Sequence, residues 1–595
     1  MTDEEIIQVV RSYKLEAQQA KRTRQGLNDL NRAAYMNQQD WSEKIEGQST
    51  EFLPKVSETA EQFAAFIKRG LIQFGDWFSV ESESEVLDNE SIRKIIMCYL
   101  DKLPDGIKTV PFSVRMSDAI KTGLLESLMI FKIHGETQSK KFFTAKDDDV
   151  ETIELNPWRL QIELIPFEDY DLDPTGNNLY EIHTVEKDLH HVIELAEQGV
   201  YDKDAVSLLE SATRKTEEER KDPQVPKQGD PTFRKKVVLE EFWGVILNDD
   251  GTVFKKEQLV TIANDKYILR KADFPFWHGE SPFVVAPIIR VPFTVYHRAL
   301  YDQVTPLNNA LNELFNLMLD GGIASVWGIK QIHMDWLEDP RQVSGGIAQG
   351  KTLAVNENMP DGGKVLEQVT EGQIPPDAMN MFSILDRELN SSALSNELRQ
   401  GLLPSKQVKA TEVVEASQSA SVLLDSITKD VEAYLEDVIR KSWFTILQNA
   451  DSLLNTDLRG ILNDRQLLAL ARMSPAERFQ EFANTCSFKV YGLSSTLSRA
   501  RDFSKLMAIL QLAGSNPLVM SAFMRKMSPD KWLAQAMKLL NLNPEDLQRD
   551  ENEQGNVQED MAFLQQFAGG NQGRVAGEPG LQSEVNQETQ GTGGV

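Results

Sequence analysis

The closest approach to a chemical signature lies just past the middle of the chain, in "GGIAQGKTLAV" from Gly345. Gly345, Gly350, Lys351 and Thr352 fill the fixed positions of G-x-x-x-x-G-K-[ST], in which backbone N–H groups and a lysine cradle nucleotide phosphates. That chemistry needs a buried strand leading in and a helix leading out, because the helix N-terminus aligns the N–H groups. Here the lead-in "MDWLEDPRQVS" is polar and broken by Pro340, and the lead-out "LAVNENMPDGG" is broken by Pro360 and Gly362. No apolar strand ending in a magnesium-binding aspartate follows the loop. The context predicts a coincidental match, and a P-loop ATPase stands only as the alternative that changing Lys351 would expose.

Other constellations are weaker. His134, His183, His190, His191, His278, His297 and His333 are scattered, with no H-E-x-x-H or His/Cys cluster for zinc. "EDYDLDPTG" alternates Asp169, Asp171 and Asp173 like a calcium loop, but Pro174 stands where glycine is required and Tyr180 where glutamate is. It reads as a turn. No G-x-S-x-G elbow occurs, and Cys98 and Cys486 are far apart and outside any nucleophile motif, which fits a reducing, cytoplasmic site of folding. The expectation is a chain without enzymatic activity, metal or cofactor.

The elements around these residues must be several, since 595 residues exceed what one hydrophobic core holds. The balance of 63 Lys+Arg against 91 Asp+Glu leaves a net charge of −28. A static DNA binder carries a basic balance instead. An acidic surface serves solubility, or lets nucleic acid pass without sticking. No stretch is apolar enough to span a bilayer, and the charged N-terminus lacks a signal-peptide core.

Residues 1–40 read as a helix whose Arg11, Lys14, Lys21, Arg22 and Arg24 suggest a solvated face or a nucleic-acid contact. Further helices are predicted near 57–71, with Ala60, Phe63, Ile67 and Leu71 on one face, then at about 90–101 and at 115–133. Alternation begins at Thr152, residues 214–232 read as a charged linker, and 237–270 reads as a strand meander with "NDDG" as its hairpin turn. A long helix is predicted over 296–320, where Leu300, Val304, Leu307, Leu311, Leu314 and Met318 recur at three- and four-residue steps. Pro306 starts or kinks its regular part. A second helix spans 376–398, with Met381, Leu385, Leu389 and Leu394 inward, and a third runs from Thr411 to about Ala450. "CSFKVYGLS" reads as one strand. From Arg549 onward the chain is too poor in apolar residues to offset its ordering entropy. The fold class is α+β, predominantly helical.

This succession resembles the portal, or head-to-tail connector, proteins of tailed bacteriophages, and those of short-tailed phages in particular. The resemblance rests on "GQSTEFLPKV", "IPFEDYDLDPTGN", "FWHGESPFVVAPIIRVPF" running into "LYDQVTPLNNALNELFN", and "KATEVVEASQSAS" from Lys409, in order over about 30–545. It implies a portal-like fold with an N-terminal helical region and wing over 1–295, a first stem helix at 296–320, a clip at 321–374 and a second stem helix at 375–398. A tunnel loop at 399–410, a long helix and C-terminal wing part at 411–500, a helical crown at 501–548 and a disordered tail at 549–595 complete the assignment. It further implies a homo-oligomeric ring, usually a dodecamer, at one capsid vertex, assembled in the host cytoplasm. Double-stranded DNA would pass through the ring during packaging and ejection. Terminase, head-tail adaptor or tail proteins, major capsid protein and scaffolding protein would be its partners, with no membrane. Leu300 to Met318, with Leu385 and Leu389, would then pack the stem. In "RQGLLPSKQVK", Arg399, Lys406 and Lys409 would touch phosphates transiently and Leu402 and Leu403 would offer apolar contact, unless these are solvated loop groups or tuck into the core. Another structural or scaffolding virion protein is the remaining alternative.

Overall fold

A computed structural model describes residues 1–490 apart from 73–76, 102–109, 138–139, 147–148, 156–157, 220–234, 328–329, 345–350, 369–375, 394–409, 454–457, 459–460 and 484. The chain divides into two units, Met1–Thr496 and Leu497–Val595, and every described residue belongs to the first. The regions expected as crown and tail, and the tunnel loop up to Lys409, lie outside the described residues. So does most of the linker, whose first residues instead close a helix.

The chain opens with α1 (Asp3–Tyr35), α2 (Lys55–Ile72), β1 (Phe78–Ser82), α3 (Asn89–Asp101) and α4 (Phe112–Glu126). Next come β2 (Leu128–Thr137), β3 (Lys140–Lys146), β4 (Asp149–Leu155), β5 (Trp158–Leu164), β6 (Tyr170–Leu172), β7 (Tyr180–Asp188), α5 (Leu189–Glu197) and α6 (Lys203–Glu219). After β8 (Lys236–Leu247), β9 (Val253–Ala263), β10 (Tyr267–Asp273) and β11 (Phe283–Pro287) runs the long α7 (Tyr301–Trp327). Then follow β12 (Lys330–Ile332), β13 (Leu366–Gln368), α8 (Pro376–Ser392), α9 (Ala410–Gln448), α10 (Ala450–Leu453), α11 (Asp464–Arg472), α12 (Pro475–Ala483) and β14 (Cys486–Val490). About half of the described residues are helical and about a fifth are in strands, a mixed α+β composition.

Strand order β10-β9-β8-β7-β6 makes a five-stranded antiparallel sheet, and "NDDG" closes its β8–β9 hairpin with Gly251 at φ 78°. Both faces are covered. Ile6, Val10 and Ala17 of α1 pack on Ile182, Phe242 and Val260, while α5 and α6 cover Val237, Leu239 and Leu269. Tyr13 stacks on Tyr180 with ring centroids 4.5 Å apart.

A second sheet, β11-β2-β5, explains the largest departure from the expected helices. Residues 115–133 do not form one helix: α4 ends at Glu126, Ser127 turns the chain at φ 76°, and β2 begins. Leu128 and Ile130 enter one core cluster while Met129, Phe131 and Ile133 enter another. A strand buried on both faces reads as a continuous apolar run, so its period is invisible in the sequence.

The basic residues of α1 also depart from expectation. Arg11 and Arg22 are exposed, but Lys14, Lys21 and Arg24 are engaged by acidic groups of the same chain. Lys14 pairs with Glu240, Lys21 reaches Asp171 at 2.5 Å and the carbonyls of Glu168 and Tyr170, and Arg24 grips Asp302 with both terminal nitrogens at 2.5 Å. Lys21 and Arg24 are buried. The bidentate guanidinium–carboxylate pair fixes α1 to the first turn of α7. Burial lifts the Asp171 carboxyl above its ordinary range, and Lys21 opposes that rise. In "EDYDLDPTG", Asp173 accepts from the N–H groups of Thr175 and Leu179, so this aspartate builds the turn.

Where the two sheets face each other, Lys132 of β2 donates to Glu241 of β8 at 2.6 Å, with the His183 ring 3.6 Å from the same carboxylate. Burial works to raise the Glu241 carboxyl, but Lys132 and His183 outweigh it and leave it well below the usual range. The main core gathers α2, α3, α4, β2, α7 and α9 around Trp77, Phe131, Tyr301 and Trp443.

Candidate assembly surface on the paired long helices

Helix α7 carries a buried apolar seam, a polar stripe beside it, and exposed apolar residues toward its C-terminal end. Val304 and Leu311 are buried, and half-buried Leu307 packs against the same core; Leu300, just before the helix, is buried too. Asn308, Asn312, Asn316 and Asp320 recur every four residues and so form one polar stripe. Leu314, Phe315 and Met318 are half-buried, and Leu317 and Ile323 are exposed.

The polar stripe holds the chain between α1 and α2. Asp320 accepts from Ser49 N–H at 2.8 Å, Asn316 from Glu51 N–H at 2.8 Å, and Asn312 from Leu53 N–H at 2.9 Å. Asn316 Nδ2 also donates to the Glu51 carbonyl at 2.9 Å. Alternate residues of an extended segment thus meet successive turns of a helix. Within "GQSTEFLPKV", residues 49–53 run extended because these side chains replace a partner strand. Asn308 continues the stripe, is fully buried, and has no side-chain hydrogen-bond partner among the described residues.

Tyr301 and Asp302 anchor the base. Burial raises the Tyr301 phenol from its ordinary range, so it remains a donor to Thr59 Oγ1 at 2.9 Å. Asp302 also accepts from Asn31 Nδ2 at 3.0 Å and from Ala299 N–H at 3.1 Å. The helix starts five residues later than expected and runs seven further, through Gly321 and Gly322. The Ile289–Arg298 bridge occupies the preceding chain, and a glycine inside a helix costs only about 1 kcal/mol. Pro306 lies inside α7, so the Asp302 carbonyl loses its intrahelical donor there.

Helix α8, opened by Pro376, packs against α7, with Phe315 and Phe382 6.2 Å apart between ring centroids. Leu389 is buried and Leu385 half-buried. Met381 does not point inward as expected: it is 55% exposed, beside Met379 at 57% and Ile384 at 54%. Leu394 lies outside the described residues. With Leu317 at 66% and Ile323 at 53%, the pair keeps five large apolar side chains in solvent after packing on itself. Periodicity shows which residues are apolar but does not distinguish a stripe facing its own chain from one left uncovered.

Between the helices, β12 and β13 pair antiparallel beside a small cluster of Leu337, Val343 and Val365. The P-loop match lies here. Gly345 to Gly350 are outside the described residues, but a 3-10 turn, Pro340–Val343, leads in, and non-helical chain leads out from Lys351. The Lys351 amine donates to the Gln342 carbonyl. Strand and helix, the two requirements of a phosphate cradle, are replaced by a turn and a loop. Arg399, Leu402, Leu403, Lys406 and Lys409 all lie outside the described residues.

The sequence pattern of the Phage SU10 portal protein family matches residues 136–451, slightly more than half of the chain. The chain belongs to this portal protein family. The match runs from the end of β2 to the start of α10 and so contains the five-stranded sheet and both paired helices. No curated protein matches the chain. As a portal protein the chain is structural, not an enzyme, in keeping with the loop geometry around Lys351. No described helix is long and apolar enough to cross a membrane.

Proposed function

We propose that this portal protein assembles as a closed ring, a dodecamer, at one capsid vertex and forms the channel through which viral DNA is packaged and ejected. The observation that carries the ring is that the α7–α8 pair leaves five large apolar side chains, Leu317, Ile323, Met379, Met381 and Ile384, in solvent. Covering each half-exposed side chain is worth roughly 1 kcal/mol, so a neighbouring copy that covers them gains several. A contact between two different faces of one chain closes into a ring when the rotation fits. In this reading α7 and α8 are the stem, the β12–β13 segment is the clip, and the rest follows the boundaries given above. The order of the quoted motifs supports the short-tailed phage type.

The channel reading assigns Arg399, Lys406 and Lys409 to transient phosphate contact and Leu402 and Leu403 to apolar contact in the tunnel loop. A dozen copies at −28 each carry roughly −340 charges, which weakens sticking of DNA to the wall. Terminase, an adaptor or tail protein, the major capsid protein and scaffolding protein would dock on the ring, in the virion after assembly in the host cytoplasm. The test is native mass with negative-stain imaging on the purified chain. A ring of about a dozen copies with a central hole is the expected result. A monomer at every concentration, also with scaffolding protein present, overturns the proposal.

A further inference from the structure

Phe293 breaks two rules at once. It sits at φ 62°, in the left-handed region that favours glycine or asparagine, and its side chain is 108% exposed. The other non-glycine residues with positive φ among the described residues are Asn37, Ser127, Asn178, Glu257, Asn264 and Asp265. None of these is aromatic, and four of the six are the Asn or Asp that this conformation tolerates best. The turn is well built: Pro292 presets the preceding residue, Thr294 Oγ1 donates to the Val291 carbonyl at 3.2 Å, and the Val291 N–H donates to His297 Nδ1 at 3.1 Å. The chain therefore holds a large apolar ring in water at a strained position, and nothing within the described residues covers it. A residue that violates both local preference and burial is explained by a contact outside its own chain.

Two further observations say what that contact is. Arg290 and Arg298 flank the turn, both exposed; among the described residues neither pairs with a carboxylate, and the Arg298 guanidinium lies against the uncharged side-chain amide of Gln303. A second copy of this chain, at −28, presents the acidic surface such cations match. The turn also leads directly into the N-terminal end of α7 at Tyr301, the helix whose far half carries the exposed Leu317 and Ile323, about 24–33 Å along its axis. We infer that Phe293 is an anchor inserted into the neighbouring copy, with Arg290 and Arg298 pairing to acidic groups around it; this rests on the ring reading above. The strained turn holds the ring outward before contact, so little order is lost when it docks.

Phe293→Gly and Phe293→Asn separate the anchor from the fold, because both residues accept positive φ. Ring formation by the purified full-length chain is followed against concentration by native mass, and the thermal midpoint of the unassembled chain is measured alongside. The expected result is a midpoint unchanged or raised in both variants, with the concentration for half-assembly raised roughly tenfold or more. Rings that form equally well in wild type and variants overturn the inference and leave the ring reading standing. A wild-type chain that forms no ring removes both. A lowered thermal midpoint in both variants assigns Phe293 to the fold of its own chain and also overturns the inference. Normal rings with weakened binding of a double-stranded DNA fragment would overturn it in favour of nucleic acid as the partner.

Discussion

Replacing Asn316 by alanine should release the extended segment 49–53 from α7 while leaving the core intact. Asn316 holds Glu51 twice, through its N–H and its carbonyl. Each hydrogen bond contributes about 0.5–1.5 kcal/mol net, and a part-buried N–H left without a partner costs about 1–3 kcal/mol. The local opening free energy should fall by about 2–3 kcal/mol, which is a roughly 30- to 150-fold faster amide exchange. The amides to read are Ser49 and Leu53, whose own acceptors Asp320 and Asn312 are untouched. If the segment opens as a unit, both speed up with Glu51. Asn308→Ala is the control on the same stripe: Asn308 is equally buried, and neither of its side-chain polar atoms has a partner among the described residues, so its removal should be neutral or stabilising. Unchanged exchange at Ser49 and Leu53 in Asn316→Ala, or equal effects of both substitutions, would refute a side-chain ladder as what holds the segment.

Glu241→Gln should strand the buried Lys132 ammonium and lower stability by about 3–5 kcal/mol in chemical denaturation; a loss below 1 kcal/mol would show that the pair is dispensable. His278 stacks on Phe276, and burial, then Lys441, pushes its imidazole down to about 3. Because the unfolded chain takes up this proton first, the contribution is whole above about pH 6.5 and shrinks as pH falls toward 3, by about 2–4 kcal/mol. His278→Gln should flatten that slope, and an unaltered slope places the titration elsewhere. Lys351→Ala should leave ATP turnover at background and assembly unchanged; measurable turnover that the substitution abolishes would reinstate the nucleotide reading. Lys406→Ala with Lys409→Ala should slow DNA packaging in a reconstituted system and spare ring formation, whereas unchanged packaging would remove these lysines from the channel.

Elements whose residues repeat against a single core were legible in the sequence: the seam of α7, the long α9 and the β8–β9–β10 meander with its Asn-Asp-Asp-Gly turn. Four things were not. Strand β2 lies between two cores, so the alternation of Leu128 and Ile130 with Met129, Phe131 and Ile133 vanishes into one apolar run. Lys14, Lys21 and Arg24 of α1 look like part of a solvated face because their partners, Glu240, Asp171 and Asp302, lie 226, 150 and 278 residues away in sequence. Met381 reads as a core residue by spacing, yet it is left exposed, and spacing carries no information about which side of a helix pair remains open. For the same reason Phe293 was only one letter in a proline-rich stretch; its backbone angle and exposure single it out.

Strand β1 pairs antiparallel with β14, joining Phe78 to Val490 and bringing Ser82 beside Cys486, 404 residues further on. During synthesis at about 5–20 residues per second, the edge of β1 stays open for roughly 20–80 s before its partner leaves the ribosome. Trp77 and Phe78, which end up fully buried, wait with it. A nascent or truncated chain is therefore left with an incomplete main core, and the core closes only once nearly all of the described chain has been made. The β1–β14 pairing thus acts as a completeness check: only a chain made through Val490 can bury Trp77 and Phe78.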